Sequence, residues 1–552
     1  MIFKTKPYDH QGVAFEKFKD SEYFALFADM GTGKSKIAID ICAYRFQQGR
    51  INACLIIAPN NVHTQWVREQ FPAHCPIEYK SFIWSSSKRG SKQWVEALAL
   101  FLVEDSIKLK VLAVNVEAFQ SDSVISTVAT YVKNHSVFII VDEATRIKNR
   151  AAKRTKTIHR LNKYGIRCIL TGTPTAKSPF DLWSQMEFLQ ANYFDTSYFI
   201  FQHRYGIMMQ GVNPYNGGRY QTLIDERMYN IVLNRLKKFK EARGGTLMPD
   251  DYETVAALYK VSEKNVRFIE QHPEYTRYKR LDELKSLIAK DVFSVKKEDC
   301  LDLPPKVYEK IYVDMSKEQR RIYKSLKTEL LAQYEGQELT IANKVALTLR
   351  LMQVMGGFFP YTEAAIVLPG ANPKFVSHDR VVKAKLIGET NPKLEAIKAD
   401  LDEVPDEQRI IIWAHFVAEL KLIYAELKKD YSCCLYYGAT PANDRLKIIE
   451  DFKANKYKIF IGNAATAGFG LNLQNATLQY YFSNTFKVED RLQAEDRSHR
   501  IGVKSTVVYK DVIMKNTVDE KIHANIAAGR NLNDFFKSTS LHDMLEDKDE
   551  VF

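Results

Sequence analysis

The sequence predicts an α/β protein with two parallel-sheet lobes and a helical insertion between them, and three observations lead there. Short β-branched runs alternate with helical patterns over roughly the first 190 residues, and the same alternation returns after about residue 392. The stretch between, about 195 to 390, is instead helix-rich, aromatic and basic. Alternating buried strands and helices make a parallel sheet covered on both faces. At 552 residues the chain also exceeds what a single core supports. The domains expected are therefore 1–195, the first lobe; 196–300, a helical insertion with a possible helix-turn-helix at 250–280; 301–391, a helical protrusion leading into lobe two; and 392–552, the second lobe.

In the first lobe Tyr23–Phe27, Ala53–Ala58, Val111–Asn115, Val137–Asp142 and Arg167–Thr171 read as buried strands, and Val62–Phe71 reads as a helix between two of them. In the second, Arg409–Trp413, Ser432–Tyr437, Lys458–Gly462, Leu478–Phe482 and Val507–Ile513 are strand-like, with a helical pattern at Asn443–Phe452. A turn cluster, Asn213-Pro214-Tyr215-Asn216-Gly217-Gly218, interrupts the insertion.

Composition narrows the function classes. Hydrophobic content of 45% and charged content of 26% describe a globular chain. Lys and Arg number 79 against 67 Asp and Glu, a net charge of +12 that suits a polyanionic partner. Met1 to Lys6 carries no apolar leader core, and no apolar run reaches membrane-spanning length, so no membrane partner and a cytoplasmic location are expected. The seven cysteines form no Cys-x-x-Cys pair, which points to buried thiols rather than a zinc site.

Chemistry concentrates in four places. Ala28-Asp29-Met30-Gly31-Thr32-Gly33-Lys34-Ser35 follows an apolar run and precedes a helical one. A strand, a Gly-rich turn and a helix start in that order cradle phosphates with backbone N–H groups and the helix dipole. Ala28 stands where the usual pattern has its first Gly. Lys34 can reach the transferred phosphate and the Ser35 hydroxyl can ligate Mg²⁺. Asp142 and Glu143 close a buried strand, where Asp142 would hold Mg²⁺, directly or through water, and Glu143 would deprotonate the attacking water. Leu170-Thr171-Gly172-Thr173-Pro174 closes another strand with hydroxyls that could sense phosphate. Gln493 to Arg500 reads as helical, which puts Arg497 and Arg500 three apart on one face, where guanidinium groups can neutralise a departing phosphoryl group.

Taken in order, these blocks resemble the superfamily-two helicases and, within them, the Swi/Snf-like branch of DNA translocases. Tyr8-Asp9-His10-Gln11 resembles the adenine-reading Q motif, with Gln11 in the reading position, and Ala28 to Ser35 resembles motif I. Ile56-Ile57-Ala58-Pro59 with Gln65-Trp66 and Glu69 is similar to motif Ia; Asp142 to Asn149 to motif II with its Arg-Ile-Lys-Asn extension; Leu170 to Pro174 to motif III. Leu303 to Lys306 with Gln319 and Tyr323 resembles the approach to lobe two, and Gly438-Ala439-Thr440 with Arg445 and Phe452 the block after it. Ala467 to Leu473, including Gly470, resembles motif V, and Gln493 to Gly502 motif VI. Thr145 stands where the family has His, Val503 where the branch has Gln, and Phe486 where Trp is usual.

The resemblance implies two RecA-like lobes that hold Mg²⁺-ATP between them, with Gln11, Asp29 to Ser35, Gly470, Arg497 and Arg500 around the nucleotide. It implies a monomeric motor tracking on the phosphate backbone of double-stranded DNA, in a minimal bacterial or phage-like member (host cytoplasm if viral). Loops near Asn60, Ala118 and Thr173 would touch DNA from lobe one, and the regions around Gly438 and Gly468 from lobe two. Two alternatives remain at this point: a strand-separating DNA or RNA helicase, and a non-catalytic DNA-binding scaffold.

Residues 250 to 280 do not follow the family pattern. There Val255, Ala256, Tyr259, Val261, Val266 and Ile269 have helix-turn-helix spacing, Ser262 is placed to N-cap the second helix, and Lys260 replaces the usual turn Gly. An outward face of Lys264, Asn265 and Arg267, followed by His272, Tyr275, Arg277, Lys279 and Arg280, would suit a DNA groove.

Overall fold

The computed structural model describes residues 3–529 except 61, 87–89, 104–106, 176–177, 213–217, 334–340, 363–381, 468–470, 486, 501 and 504. The chain divides into two compact units, Met1–Cys300 and Leu301–Phe552. In the first, strands β1 (Tyr23–Ala28), β2 (Ala53–Ala58), β3 (Tyr79–Ile83), β4 (Leu109–Asn115), β5 (Val137–Asp142) and β6 (Ile166–Thr171) are joined through helices. Beyond them, β7 (Met208–Val212) and β8 (Arg219–Leu223) make an antiparallel hairpin, and β9 (Val292–Val295) follows the insertion.

The main sheet runs β3-β4-β2-β5-β6-β1-β9 with every pairing parallel. Its central strands β2, β5 and β1 are almost wholly buried, because helices cover both faces. The order places β5, β6 and β1 side by side, in register from Asp142 against Leu170 to Phe27 against Thr171. Their carboxyl ends therefore open onto one edge of the sheet.

The range expected as a helical insertion differs from that expectation in two respects. It contains the β7–β8 hairpin, and its last strand, β9, returns to pair with β1 from Ala25 to Ala28. Its helices are α4 (Glu226–Ala242), α5 (Pro249–Tyr259) and α6 (Glu263–Gln271), and α1 (Asp9–Phe18), α2 (Lys34–Gln47) and α3 (Asp181–Leu189) precede them in the chain. Tyr229, Val232, Leu236, Val255, Val266 and Ile269 form a small core of their own beside Ile207 and Ile224. The turn cluster Asn213 to Gly217 lies outside the described residues.

The α5–α6 turn uses Lys260 at φ 54°, the left-handed position a Gly would take, and the Ser262 hydroxyl caps α6 by accepting from the Asn265 N–H at 3.4 Å. Asn265 is not on an outward face. It is buried, donates to the Met208 carbonyl at 3.2 Å, and accepts from Lys279.

The second unit has a parallel sheet ordered β10-β17-β16-β13-β15-β14. Its strands are β10 (Lys306–Val313), β13 (Arg409–Trp413), β14 (Cys433–Tyr436), β15 (Ile459–Gly462), β16 (Ala476–Tyr481) and β17 (Val507–Met514), with a β11 (Phe358–Thr362) to β12 (Val382–Leu386) hairpin beside them. β10 falls in the range expected to be a helical protrusion. It pairs with β17 along all eight residues, as an edge strand whose Lys306, Glu309 and Lys310 hide the apolar pattern. Helix α7 (Val488–Glu495) lies between β16 and β17 in the chain.

Candidate nucleotide site

The Gly-rich loop leaves β1 at Ala28 and enters α2 at Lys34. Gly31 and Gly33 hold φ of 80° and 86°, and a side chain on Gly33 would run into the amide of Gln11. Thr32 is fully buried, its hydroxyl donating to the Asp29 carbonyl at 2.8 Å. The Thr32 carbonyl meets the His10 Nε2 at 2.8 Å and accepts from Gln11 Nε2 at 3.0 Å. Gln11 also accepts from the Tyr8 N–H at 3.1 Å, so it braces the loop while keeping one amide hydrogen and one lone pair for a ligand.

Lys34 Nζ donates to the carbonyls of Ala28 and Asp29 at 2.6 and 2.9 Å. Asp29 ties the loop to the strand that follows the insertion: its N–H donates to the Val295 carbonyl at 3.1 Å, and its carboxylate accepts from the Lys297 N–H at 2.9 Å. Met30 packs where motif III approaches, since a Cβ on Gly172 would stand 3.4 Å from the Met30 side chain and 3.5 Å from loop backbone. Ser35 lies in the first turn of α2.

Asp142, the last residue of β5, is buried. Its Oδ2 accepts from the Trp66 indole Nε1–H at 2.8 Å and its Oδ1 from the Glu143 N–H at 2.9 Å. Burial pushes its pKa up, opposed by the Trp66 hydrogen bond and then by the Lys34 charge. Glu143 follows at φ 51°, ψ 57°, a left-handed conformation that costs a non-Gly residue roughly 1–3 kcal/mol and turns the chain sharply at the strand end. Thr145 sits half-buried in the short 3₁₀ turn behind it. That turn is pinned by α3, where Ser184 donates to the Ile147 carbonyl at 2.6 Å and Asp181 pairs with Lys148 at 3.2 Å.

The segment expected as one helix from Val62 carries a π-helical stretch, Trp66–Gln70, flanked by short α-helical turns. Trp66 belongs to a block the sequence identifies, but nothing in its spacing shows that its indole holds a carboxylate 76 positions away.

Among the described residues no group of three or more His, Cys, Asp or Glu is gathered as a metal cage. The donors on offer, the Ser35 hydroxyl and the Asp142 carboxylate, are hard oxygens. They fit Mg²⁺, which keeps waters and takes one or two protein oxygens together with substrate phosphates.

In the second unit α7 ends at Glu495, so Arg497 and Arg500 lie in the turns after it rather than on the helix. They share a direction nonetheless, each guanidinium standing 3.5 Å from the Leu471 carbonyl, with Arg497 also donating to Gln493 O at 3.0 Å. The turns are fixed from outside the helix by Ser498 on the Leu473 carbonyl at 3.1 Å and His499 on the Pro304 carbonyl at 2.7 Å. Beneath them Arg491, buried against the Tyr481 ring, pairs with Asp511 at 2.6 Å and Glu495 at 2.8 Å. Gly470, together with Gly468 and Phe486, lies outside the described residues. Val503 is buried.

The described part of the chain contains no helix long and apolar enough to cross a membrane. Residues 8–356 match the model of the SNF2-related domain, and residues 392–502 match that of the helicase conserved C-terminal domain. The ATP-dependent helicase fft1 of Schizosaccharomyces pombe is 24% identical over 535 residues, covering 90% of this chain and 49% of its own length. The ATP-dependent helicase FUN30 of Saccharomyces cerevisiae is 25% identical over 520 residues, covering 90% and 43%. The chain thus spans about half or less of the curated relatives it matches. Among solved structures, the SWI2/SNF2 ATPase core of Sulfolobus solfataricus in complex with dsDNA aligns over 99% of this chain and 98% of that one, at 20% identity and a TM-score of 0.36. With 349 consecutive residues inside the SNF2-related match, the chain belongs to the SNF2-related, Swi/Snf-like family of superfamily-two helicases.

Proposed function

We propose that this chain is a Mg²⁺-ATP-driven translocase of double-stranded DNA. The observation that supports it best is the convergence of the Gly-rich loop, the Thr171–Pro174 turn and the Asp142–Glu143 pair on the carboxyl ends of three adjacent strands, β1, β6 and β5. In this reading the loop N–H groups and Lys34 bind the β- and γ-phosphates, and Gln11 holds the loop for the base. Ser35 and Asp142 would hold Mg²⁺, which would supply positive charge to offset that of the phosphates. Glu143 takes the proton of the attacking water. Arg497 and Arg500 are assigned to the charge on the departing phosphoryl group.

Duplex DNA is favoured as the track by the net charge of +12 and by family membership. Strand separation is disfavoured, because the described residues between Gln474 and Leu492 form β16, a loop and the start of α7, with no wedge hairpin. Steady-state ATPase with and without DNA tests the reading, followed by displacement of a third strand from a duplex. Stimulation by duplex above that by equal single strands is expected. No stimulation overturns the motor, and release of a partner strand from a forked duplex replaces translocation with unwinding.

A further inference from the structure

The insertion packs α4, α5 and α6 around its own small core, so each helix keeps a face for solvent. The α6 face is electrically mixed. Arg267 is bound to Glu263 at 2.6 Å and lies over the Tyr252 ring at 4.1 Å, Asn265 and Lys279 are joined to each other, and Glu270 adds a negative charge.

α4 is different. It buries Tyr229, Val232, Leu233 and Leu236 on one side. On the other it exposes Arg227, Asn230, Asn234, Arg235, Lys237 and Lys238, with Glu226 and Glu241 as the exposed acids, so these residues carry two more positive than negative charges. Two further cations at its C-terminal end are paired, Lys240 with Glu270 at 3.7 Å and Arg243, just past the helix, with Asp251 at 3.1 Å. Arg227, Lys237 and Lys238 form no ion pair among the described residues. Arg227 and Lys238 are eleven positions apart, roughly 16 Å along the helix axis, a length over which one DNA strand presents several phosphates, at about one per 3.4 Å of duplex axis. Three cations with amide side chains between them match a run of phosphates, and they are placed on a helix with a fixed backbone rather than on a loop.

We infer that the solvent face of α4, rather than that of α6, is a separate contact for the phosphate backbone of double-stranded DNA. The inference rests on DNA being the track of the motor. It adds affinity without base readout and lies on none of the groups assigned to ATP.

The test compares full-length parent with an Arg227→Gln, Lys237→Gln, Lys238→Gln variant and with Lys264→Gln on α6. Binding to a mixed-sequence duplex is measured across a salt titration, with ATPase measured in parallel. Each lost phosphate contact lowers the slope of log K against log salt by about 0.9, so the triple variant should lose between about 2 and 3 units of slope. Its DNA-free ATPase should stay at the parent rate, and Lys264→Gln should match the parent. An unchanged slope in the triple variant, with the parent still stimulated by duplex, overturns this inference and leaves the motor standing. A slope lost only in Lys264→Gln moves the contact to α6 and also overturns it. A parent that neither binds duplex nor responds to it overturns both readings.

Discussion

Trp66 donates its indole N–H to the buried carboxylate of Asp142 at 2.8 Å, from a π-helical stretch to the end of β5. Burial drives that group towards its neutral form and raises its pKa, and the Trp66 bond is the largest effect opposing it. Trp66→Phe keeps the ring and removes the donor. A hydrogen bond to a charged group is worth about 1.5–3 kcal/mol. On the proposal that Asp142 holds Mg²⁺, which requires the ionised carboxylate, the acid limb of the ATPase pH profile should move to higher pH. An acid limb in the same place would show that Asp142 is held ionised by other groups.

Lys34 and Glu143 should separate binding from turnover. Lys34→Ala removes the cation from the loop and should weaken ATP binding as well as rate. Glu143→Gln keeps shape and removes the base, so ATP should stay bound while turnover falls about 10²–10⁴-fold. Nucleotide binding and single-turnover hydrolysis measured on both variants check this, and parent-like turnover in either breaks the assignment.

On their proposed assignment to the departing phosphoryl group, Arg497→Ala and Arg500→Ala should lower DNA-stimulated kcat with little change in ATP affinity. In other phosphoryl-transfer enzymes such an arginine is worth about 10³–10⁵ in rate. A variant that raises KM at constant kcat would make its arginine a binding group instead.

Arg491 and Asp511 should matter for stability. Burial raises the Asp511 pKa, but the Arg491 charge, with hydrogen bonds from His523, Arg491 and Asn484, overrides it and holds the carboxyl well below its usual range. A lowered folded pKa stabilises above the unfolded value and is lost as pH falls through the folded one, so the contribution is full above about pH 5 and fades below about pH 4. Arg491→Leu leaves a buried carboxylate unpaired and should cost about 3–5 kcal/mol at neutral pH, and less in acid. Urea unfolding of parent and variant at pH 7 and pH 3 reads the difference directly.

The strands legible in the sequence are, with one exception, those with neighbours on both sides. β1, β2, β4, β5 and β6 in the first unit and β13, β15, β16 and β17 in the second are nearly continuous apolar runs because helices and strands enclose them. β14 is an edge strand that still shows, through its buried Cys433 and Cys434. β3, β9 and β10 are edges with polar residues facing solvent, and periodicity passes over them.

The candidate site divides the same way. The Gly-rich loop, the acidic pair and the arginines are local patterns, legible because phosphate chemistry requires fixed residue types at short spacing. The helix expected to carry Arg497 and Arg500 ends at Glu495, and both guanidinium groups stand 3.5 Å from the Leu471 carbonyl. Trp66 on Asp142, Lys297 on Asp29, and Asn265 turned inward all join residues far apart in the chain. Sequence determined the two-lobe α/β plan and the residue types of the phosphate site. Only the tertiary structure decided which side chains brace that site and which face of the insertion keeps its charge, because burial and pairing across long separations leave no local period to read.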